Sequence, residues 1–295
     1  MLRELDEAAR ALVAPHVVLF DWHATLVDTL DAMYHAVDDV LPRFPELDLM
    51  EALISHEQCK TPEDARLVDY VREHQRLHPK IKAQRRISRT DIFEVLFGEN
   101  ENAKRVAHQA FNDAYRNHYG EAHPFEGGEL DLLIEMREFE VRLGILTNRD
   151  REFFELELAL VDDGAWTDLF DTTVCGCDTG KRKPNPDPIF KALENLDEKP
   201  GLNCWYVGDS TTDVISAKRA GITSVFFNGA GWDHAWINKI FPGTREHPHQ
   251  PDAIVDSFAE FKWLFEECLH VGHDWHRHQE NPDRKTVAFK SKSSD

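Results

Sequence analysis

The sequence predicts an α/β fold, a parallel sheet covered on both faces by helices and interrupted by an all-helical insert. Three observations predict it. Short apolar runs rich in β-branched residues recur along the chain, helical patterns separate most of them, and the stretch from Asp28 to His123 carries helical periodicity with no convincing strand. Strands that alternate with helices run parallel, because each crossover helix returns the chain to the same end of the sheet. In such sheets ligands gather at the carboxyl ends of the strands.

Taken in order, Val17-Val18-Leu19-Phe20 is a continuous apolar run that reads as a strand buried on both faces, and Asp21 follows at its carboxyl end. Within the insert, Leu30, Met33, Tyr34, Val37, Val40 and Leu41 fall on one helical stripe that Pro42 stops. Thr61, Pro62 and Asp64 supply an N-cap, a first-turn proline and a capping-box acid for another helix. Ala103, Val106, Ala107, Ala110, Phe111, Ala114, Tyr115 and His118 form a third stripe, closed by Gly120. Later strands are expected at Val141 to Leu146, Thr172 to Val174, Cys204 to Val207, Ser224 to Phe227 and Ala253 to Val255. Helices are expected over Arg151 to Leu160, Asp187 to Leu196, Thr212 to Ala220 and Phe258 to Leu269. The resulting division is a core of residues 1–27 and 124–269, a helical insert of 28–123, and a polar, aperiodic, loosely docked tail of 270–295.

The chain of 295 residues is long enough for a core domain with a smaller inserted one, and its 41% apolar content, with 18 Phe and 7 Trp, argues against disorder. Lys and Arg number 34 against 54 Asp and Glu, a formal net charge of −20. That field repels nucleic acid and anionic membrane surfaces, so neither is expected as a partner. It also repels a phosphorylated metabolite unless a cation or a local basic patch reverses the sign. No apolar run is long enough to span a bilayer and the first residues lack a secretory layout, so the expected location is the cytoplasm. The five cysteines form no CxxC pair, which indicates neither a disulfide framework nor a zinc ribbon.

Four strand-end signals carry chemistry. Asp21, in Asp21-Trp22-His23-Ala24-Thr25, ends the first strand; by itself such an acid is usually a helix cap or loop residue. Thr147-Asn148 ends another strand and is also a plain N-cap pattern. Lys183 sits in a basic, proline-shaped loop, Lys181 to Pro188, which a solvated surface loop would also explain. Asp209 and Asp213 follow the Cys204 to Val207 strand with a spacing that places two acids on one side of a strand-to-helix junction.

Their order and placement bring all four to one rim of one sheet. That combination resembles the haloacid dehalogenase superfamily of phosphohydrolases, with the motifs at Asp21 to Thr25, Thr147, Lys183 and Asp209 to Asp213, over roughly residues 15–268. The resemblance implies a Rossmann-like core with a helical cap inserted after the first motif. It also implies Asp21 as nucleophile, Thr147, Asn148 and Lys183 as binders of phosphoryl oxygens, and Mg2+ as cofactor. Asp21, Asp209, the backbone carbonyl of His23 and, directly or through water, Asp213 would hold the metal. The residues fit that chemistry. Phosphoryl transfer needs in-line positioning and charge neutralisation more than basicity, a carboxylate can serve as nucleophile, and hard oxygen donors suit Mg2+. The expected activity is hydrolysis of a small phosphorylated metabolite through an aspartyl-phosphate.

The chain departs from this pattern at His23, where phosphatases of the superfamily carry a second Asp as general acid and base. An imidazole with a reference pKa of about 6.5 could fill that role, its protonated fraction raised by neighbouring carboxylates. His23 is therefore expected to protonate the leaving alcohol and then activate water. If His23 instead only replaces the acid, the alternative is a catalytically impaired phospholigand-binding or regulatory protein. Trp22 adds a likeness to phosphonoacetaldehyde hydrolase, which cleaves a carbon–phosphorus bond with a cap lysine; Lys60, Lys80 and Lys82 lie in the insert, but the segments around them do not resemble that enzyme's lysine motif. A phosphomutase is the remaining enzymatic alternative.

Lys80, Lys82, Arg85, Arg86 and Arg89 form an acid-free basic patch in the insert, with Arg85 and Arg86 the nominees for clamping an anionic substrate; a solvated face explains the patch as well. His270, His273, His276 and His278 are spaced for adventitious metal binding. Trp232, His234 and Trp236 belong to an extra segment, 229–250, that borders either the active-site rim or an oligomer contact.

Overall fold

The computed structural model describes residues 2–59, 61–84 and 89–280. In chain order the elements are α1 (Leu2–Ala11), β1 (Val17–Phe20), β2 (Val27–Asp28), α2 (Leu30–Val40), α3 (Pro62–His74), α4 (Pro79–Gln84), α5 (Arg89–Phe97) and α6 (Glu101–Tyr115). There follow β3 (His123–Pro124), α7 (Glu129–Glu138), β4 (Arg142–Leu146), α8 (Arg151–Leu160), β5 (Thr172–Val174) and α9 (Asp187–Asn195). The chain continues with β6 (Cys204–Gly208), α10 (Thr211–Ala220), β7 (Thr223–Phe227), α11 (His234–Ile240), β8 (Ala253–Val255) and α12 (Phe258–Glu280).

Six strands form one parallel sheet in the order β5-β4-β1-β6-β7-β8. Strand β1 is interior, with Leu19 opposite Gly144 on one side and Tyr206 on the other. Its four residues are buried because alternate side chains enter two apolar layers. Val18 and Phe20 pack with Trp205 and with Phe261 and Phe265 of α12, while Val17 and Leu19 pack with Ile189 and Leu193 of α9 and Ala217 of α10. Full burial of each such side chain contributes about 1.5–3 kcal/mol. At Gly144 an added Cβ would lie 2.6 Å from the Leu19 side chain and 2.7 Å from that of Thr172, so only glycine lets the neighbouring strands pack here.

The helices between β2 and β3 bury their own apolar cluster, which includes Val37, Val40, Phe44, Val68, Phe93, Phe97, Ala107, Phe111 and Tyr115. Phe153 of α8 reaches into it from the sheet side. Helix α3 starts on the capping box of Thr61 and Asp64, with Pro62 in the first turn.

Three local readings of the sequence need correction. The sequence of the insert shows no convincing strand, yet its two ends pair as a two-residue antiparallel ribbon, Val27 with Pro124 and Asp28 with His123; two residues are too few to produce an alternating pattern. Helix α6 ends at Tyr115 rather than running to Gly120, so His118 lies outside it, in a segment that leads to a short 3-10 turn at Tyr119–Glu121. The stretch from His270 is not aperiodic coil to its end, because α12 runs on to Glu280. Once Phe258, Phe261, Leu264, Phe265 and Cys268 dock the first turns, each further residue adds a hydrogen bond without repeating the cost of nucleation, so no apolar stripe is needed. Residues 281–295 lie outside the described residues, as do the side chains of His273, His276 and His278.

Candidate active site

The first functional side chain follows directly from the sheet. The amide of Asp21 donates to the Val207 carbonyl at 2.8 Å, extending the β1–β6 ladder by one residue and fixing the carboxylate at the rim. Lys183 Nζ lies 2.8 Å from Asp21 Oδ1, 2.7 Å from Asp213 Oδ1, 2.7 Å from the Tyr206 hydroxyl and 3.2 Å from the Leu146 carbonyl. The ammonium is thus held among groups from the end of β1, from β4 and β6, and from α10. Asp213 is held in turn by the Ser210 amide at 3.0 Å and the Ser210 hydroxyl at 2.5 Å, a capping box that starts α10. A Cβ at Gly208 would sit 2.5 Å from the Asp213 carboxylate, so the glycine at the end of β6 is what lets Asp213 tuck beneath the rim.

Thr147 is buried at the end of β4, with its hydroxyl accepting from the Arg149 amide at 3.2 Å. Asn148, expected to contact substrate, spends its side chain on the lysine loop: Oδ1 accepts from the Lys183 amide at 3.0 Å and Nδ2 donates to the Lys183 carbonyl at 3.2 Å. Its contribution is to place the lysine. Tyr206, the buried hydroxyl beneath that lysine, was missed because an aromatic residue in an apolar strand gives no signal of chemistry.

Carboxylate oxygens of Asp21, Asp209 and Asp213 lie within 4.8 Å of one another. Burial lifts the Asp21 carboxyl to about 6, with Lys183 pulling it down and Asp213 pushing it up. Asp209 is held well above the ordinary carboxylate range by burial and by the two other acids. Burial works against the Lys183 charge, but Asp21 and Asp213 outweigh it and raise the ammonium above its ordinary value. Three crowded carboxylates with hard oxygens suit a divalent cation such as Mg2+, which would relieve their repulsion. Because Lys183, Tyr206 and Ser210 occupy Asp213, the freer oxygens belong to Asp21 and Asp209.

His23 does not have the neighbours expected of it. Burial first, then Arg149, Arg89 and Lys183, hold its imidazole well below the ordinary value, so the surroundings disfavour the imidazolium that adjacent carboxylates would have stabilised. Its Nδ1 bonds the Thr29 hydroxyl, and Arg149 Nη2 donates to the same nitrogen at 3.4 Å and to Thr29 Oγ1 at 2.8 Å. A guanidinium only donates, so Nδ1 accepts and the proton of the neutral ring sits on Nε2.

Behind His23 lies a buried ion pair that sequence reasoning also missed. Arg149 Nη1 is 3.0 Å from Glu157, which is fully buried on α8. Glu157 also accepts from Trp22 Nε1 at 2.8 Å and from the Tyr115 hydroxyl of α6. Trp22 is therefore a structural residue, packed edge-on against Phe154 and Trp166. The position of Arg149 directly after Thr147 and Asn148 was the one available hint.

The site opens into a pocket of about 890 Å³ between the sheet rim and the insert, lined by Asp21, His23, Thr147, Asn148, Lys183 and Asp209 on one side and by Leu30, Met33, Arg89, Phe111 and Asn112 on the other. Trp232 lines it too and stacks on Trp236, ring centres 5.4 Å apart. Arg85, Arg86 and Lys60 lie outside the described residues. From the basic patch, Arg89 reaches the pocket; Lys82 instead pairs with Asp38 at 2.5 Å, and Lys80 is exposed. Among the described residues no lysine of the insert lines the pocket.

Comparison with known proteins gives a consistent setting. A model of the haloacid dehalogenase-like hydrolase family matches residues 18–227. The candidate pyrophosphatase PpaX of Caldanaerobacter subterraneus subsp. tengcongensis is 32% identical over 164 residues, 56% of this chain and 67% of that protein. The phosphoglycolate phosphatase of Aquifex aeolicus is 30% identical over 118 residues, 39% of this chain and 52%, or about half, of that protein. Among solved structures, a candidate phosphoglycolate phosphatase from Lactobacillus plantarum superposes with a TM-score of 0.59 over 86% of this chain and 100% of that one, at 19% identity, a likeness of fold. No described helix is long and apolar enough to cross a membrane.

Proposed function

The chain belongs to the haloacid dehalogenase-like hydrolase family, and on that premise we propose that it is a Mg2+-dependent phosphatase of a small phosphorylated metabolite, working through an aspartyl-phosphate on Asp21. The observation that carries the reading is the Lys183 ammonium, 2.8 Å from Asp21 and 2.7 Å from Asp213 at the floor of the pocket, beside Asp209. The names of the relatives, a pyrophosphatase and a phosphoglycolate phosphatase, point to the same substrate chemistry. In this reading residues 1–27 and 124–269 form the catalytic core and 28–123 the cap that closes over it.

Asp21 and Asp209, with the His23 backbone carbonyl and Asp213 through water, would hold Mg2+, which when bound supplies positive charge against the phosphoryl oxygens. The Asp21 carboxylate attacks phosphorus, the bond from phosphorus to the leaving oxygen breaks, and that oxygen takes the electron pair. Lys183 and the Thr147 hydroxyl steady the phosphoryl oxygens as charge moves. Water then attacks phosphorus, the bond to Asp21 breaks, and the carboxylate and orthophosphate are released. Residues of the cap restrict bulk water during both steps.

His23 occupies the acid/base position with a modified role. A neutral ring whose Nδ1 is filled by Thr29 and Arg149 offers its Nε2 proton as a hydrogen bond to the leaving oxygen but does not surrender it readily. General acid catalysis contributes about 10²–10⁴-fold, so leaving groups that need little protonation should be strongly favoured. Turnover of a series of aryl and alkyl phosphates with Mg2+ and with EDTA tests the reading. The expected result is Mg2+-dependent release of phosphate, at least about tenfold faster in kcat/KM for aryl than for alkyl esters. No release from any ester with Mg2+ present would overturn it.

A further inference from the structure

Among the described residues, four cations line the pocket: Lys183, Arg149, Arg182 and Arg89. Three have carboxylate partners, Lys183 in Asp21 and Asp213, Arg149 in Glu157 at 3.0 Å and Arg182 in Asp150 at 2.6 Å. Arg89 has none among the described residues. Its Nη1 donates to the neutral Asn112 amide oxygen at 2.9 Å, and its guanidinium carbon lies 4.4 Å from the centre of the Phe111 ring. Asp150 favours its charge from a distance but is already bonded to Arg182.

Such a cation is unusually placed. Burial, together with Arg149 and Arg182, pushes the Arg89 guanidinium down to about 10. A charge withdrawn from water beside like charges is costly unless an opposite charge is supplied, and an amide and a ring face orient the group without neutralising it. Phe111 and Asn112 are consecutive residues of α6 that themselves line the pocket, so the helices of the insert aim Arg89 into the cavity. The reacting phosphoryl group already has Lys183 and Thr147 at the sheet rim. Leu30, Met33 and Phe125 give the pocket an apolar wall that suits a carbon skeleton.

We infer that Arg89 is a specificity residue for a second anionic group, a carboxylate or a further phosphate carried on the leaving-group side, and that the substrate class is therefore phosphate esters with two separated anionic ends. This inference rests on the phosphatase reading and names its substrate class. The second anion supplies the charge that Asn112 and Phe111 do not, and no bond is made or broken at this end.

The test uses full-length protein with Mg2+, and two sets of probes. Phenyl phosphate, 4-carboxyphenyl phosphate and 1,4-phenylene bisphosphate report turnover; the matching phenylphosphonates, which are not hydrolysed, report binding by calorimetry. In the parent, at least one of the doubly anionic probes should exceed its plain counterpart by about tenfold or more in kcat/KM and in affinity. In Arg89→Gln that ratio should fall to near one, and Arg89→Lys, which keeps the charge but loses the fork, should recover part of it. The carboxylate and phosphate arms identify which anion is read. A ratio near one in the parent, or a ratio in Arg89→Gln equal to that of the parent, would overturn the inference. Absence of turnover for every ester with the affinity ratio intact would contradict the phosphatase reading while leaving the anion subsite in place.

Discussion

Two buried ion-pair centres lie near His23, and they are built differently. The first, Lys183 with Asp21 and Asp213, draws its members from the carboxyl end of β1, the first turn of α10 and the loop before α9, all within the sheet core. The second, Arg149 with Glu157, reaches outward: Tyr115 of the insert donates to Glu157, and Thr29, at the first turn of the insert, accepts from Arg149. The first centre holds the groups proposed to meet phosphorus. The second joins the insert to the core and presses a positive charge against His23. The difference shows how one fold separates chemistry from positioning, with the reacting groups at strand ends and the groups that fix them one layer behind.

Breaking the first centre should give the largest effect. Lys183→Met removes the cation that Asp21 and Asp213 share, and kcat for an aryl phosphate should fall by about 10²–10³-fold or more, as when a single preorganised donor to a developing charge is lost. Circular dichroism of the variant would separate this from unfolding. Breaking the second centre should act on stability first. Glu157→Gln leaves Arg149 without its buried counter-charge, and urea denaturation should show a loss of about 3–5 kcal/mol. Tyr115→Phe removes one hydroxyl bond to that carboxylate and should cost about 1.5–3 kcal/mol, the range for hydrogen bonds to charged groups.

The smallest effect is expected at the outer edge of the insert. His118 lies 2.8 Å from Asp39 and 2.8 Å from Glu121, and although partial burial opposes its charge, these two bonds raise its pKa above the ordinary value. A raised folded-state pKa stabilises below the unfolded value and is lost as pH rises through the folded one. The stability difference between the parent and His118→Gln should therefore be greatest at about pH 6 and shrink toward about pH 9, within the ~1 kcal/mol typical of exposed pairs.

The same contrast explains what was legible in the sequence. That Asp21, Thr147 and Asp209 gather at one rim was readable because strand-end position is a local property: an apolar run ends, a polar residue follows, and parallel topology carries such ends together; Lys183 and Asp213 were read from a proline-shaped loop and from the spacing to Asp209. Glu157, Tyr115 and Thr29 were not readable, since each sits in a helix or turn where an acid, an aromatic residue or a hydroxyl has an ordinary role. Only three-dimensional packing makes them one network. His23 illustrates the consequence, because its position in the sequence predicted carboxylate neighbours and the fold supplied Arg149 instead. Arg89 is intermediate: the basic patch was visible, but which of its members reaches the pocket depends on how α5 lies against α6. The net charge of −20 is offset at the site itself by Lys183, Arg149, Arg182 and Arg89.

The central claim is that Asp21 becomes phosphorylated during turnover. Acid-quenched protein, sampled during hydrolysis of an aryl phosphate with Mg2+, should show by mass spectrometry a fraction heavier by one phosphoryl group, with peptide mapping placing it on Asp21 and Asp21→Asn showing neither adduct nor turnover. Turnover that persists in Asp21→Asn, or an adduct that maps to another residue, would contradict the account.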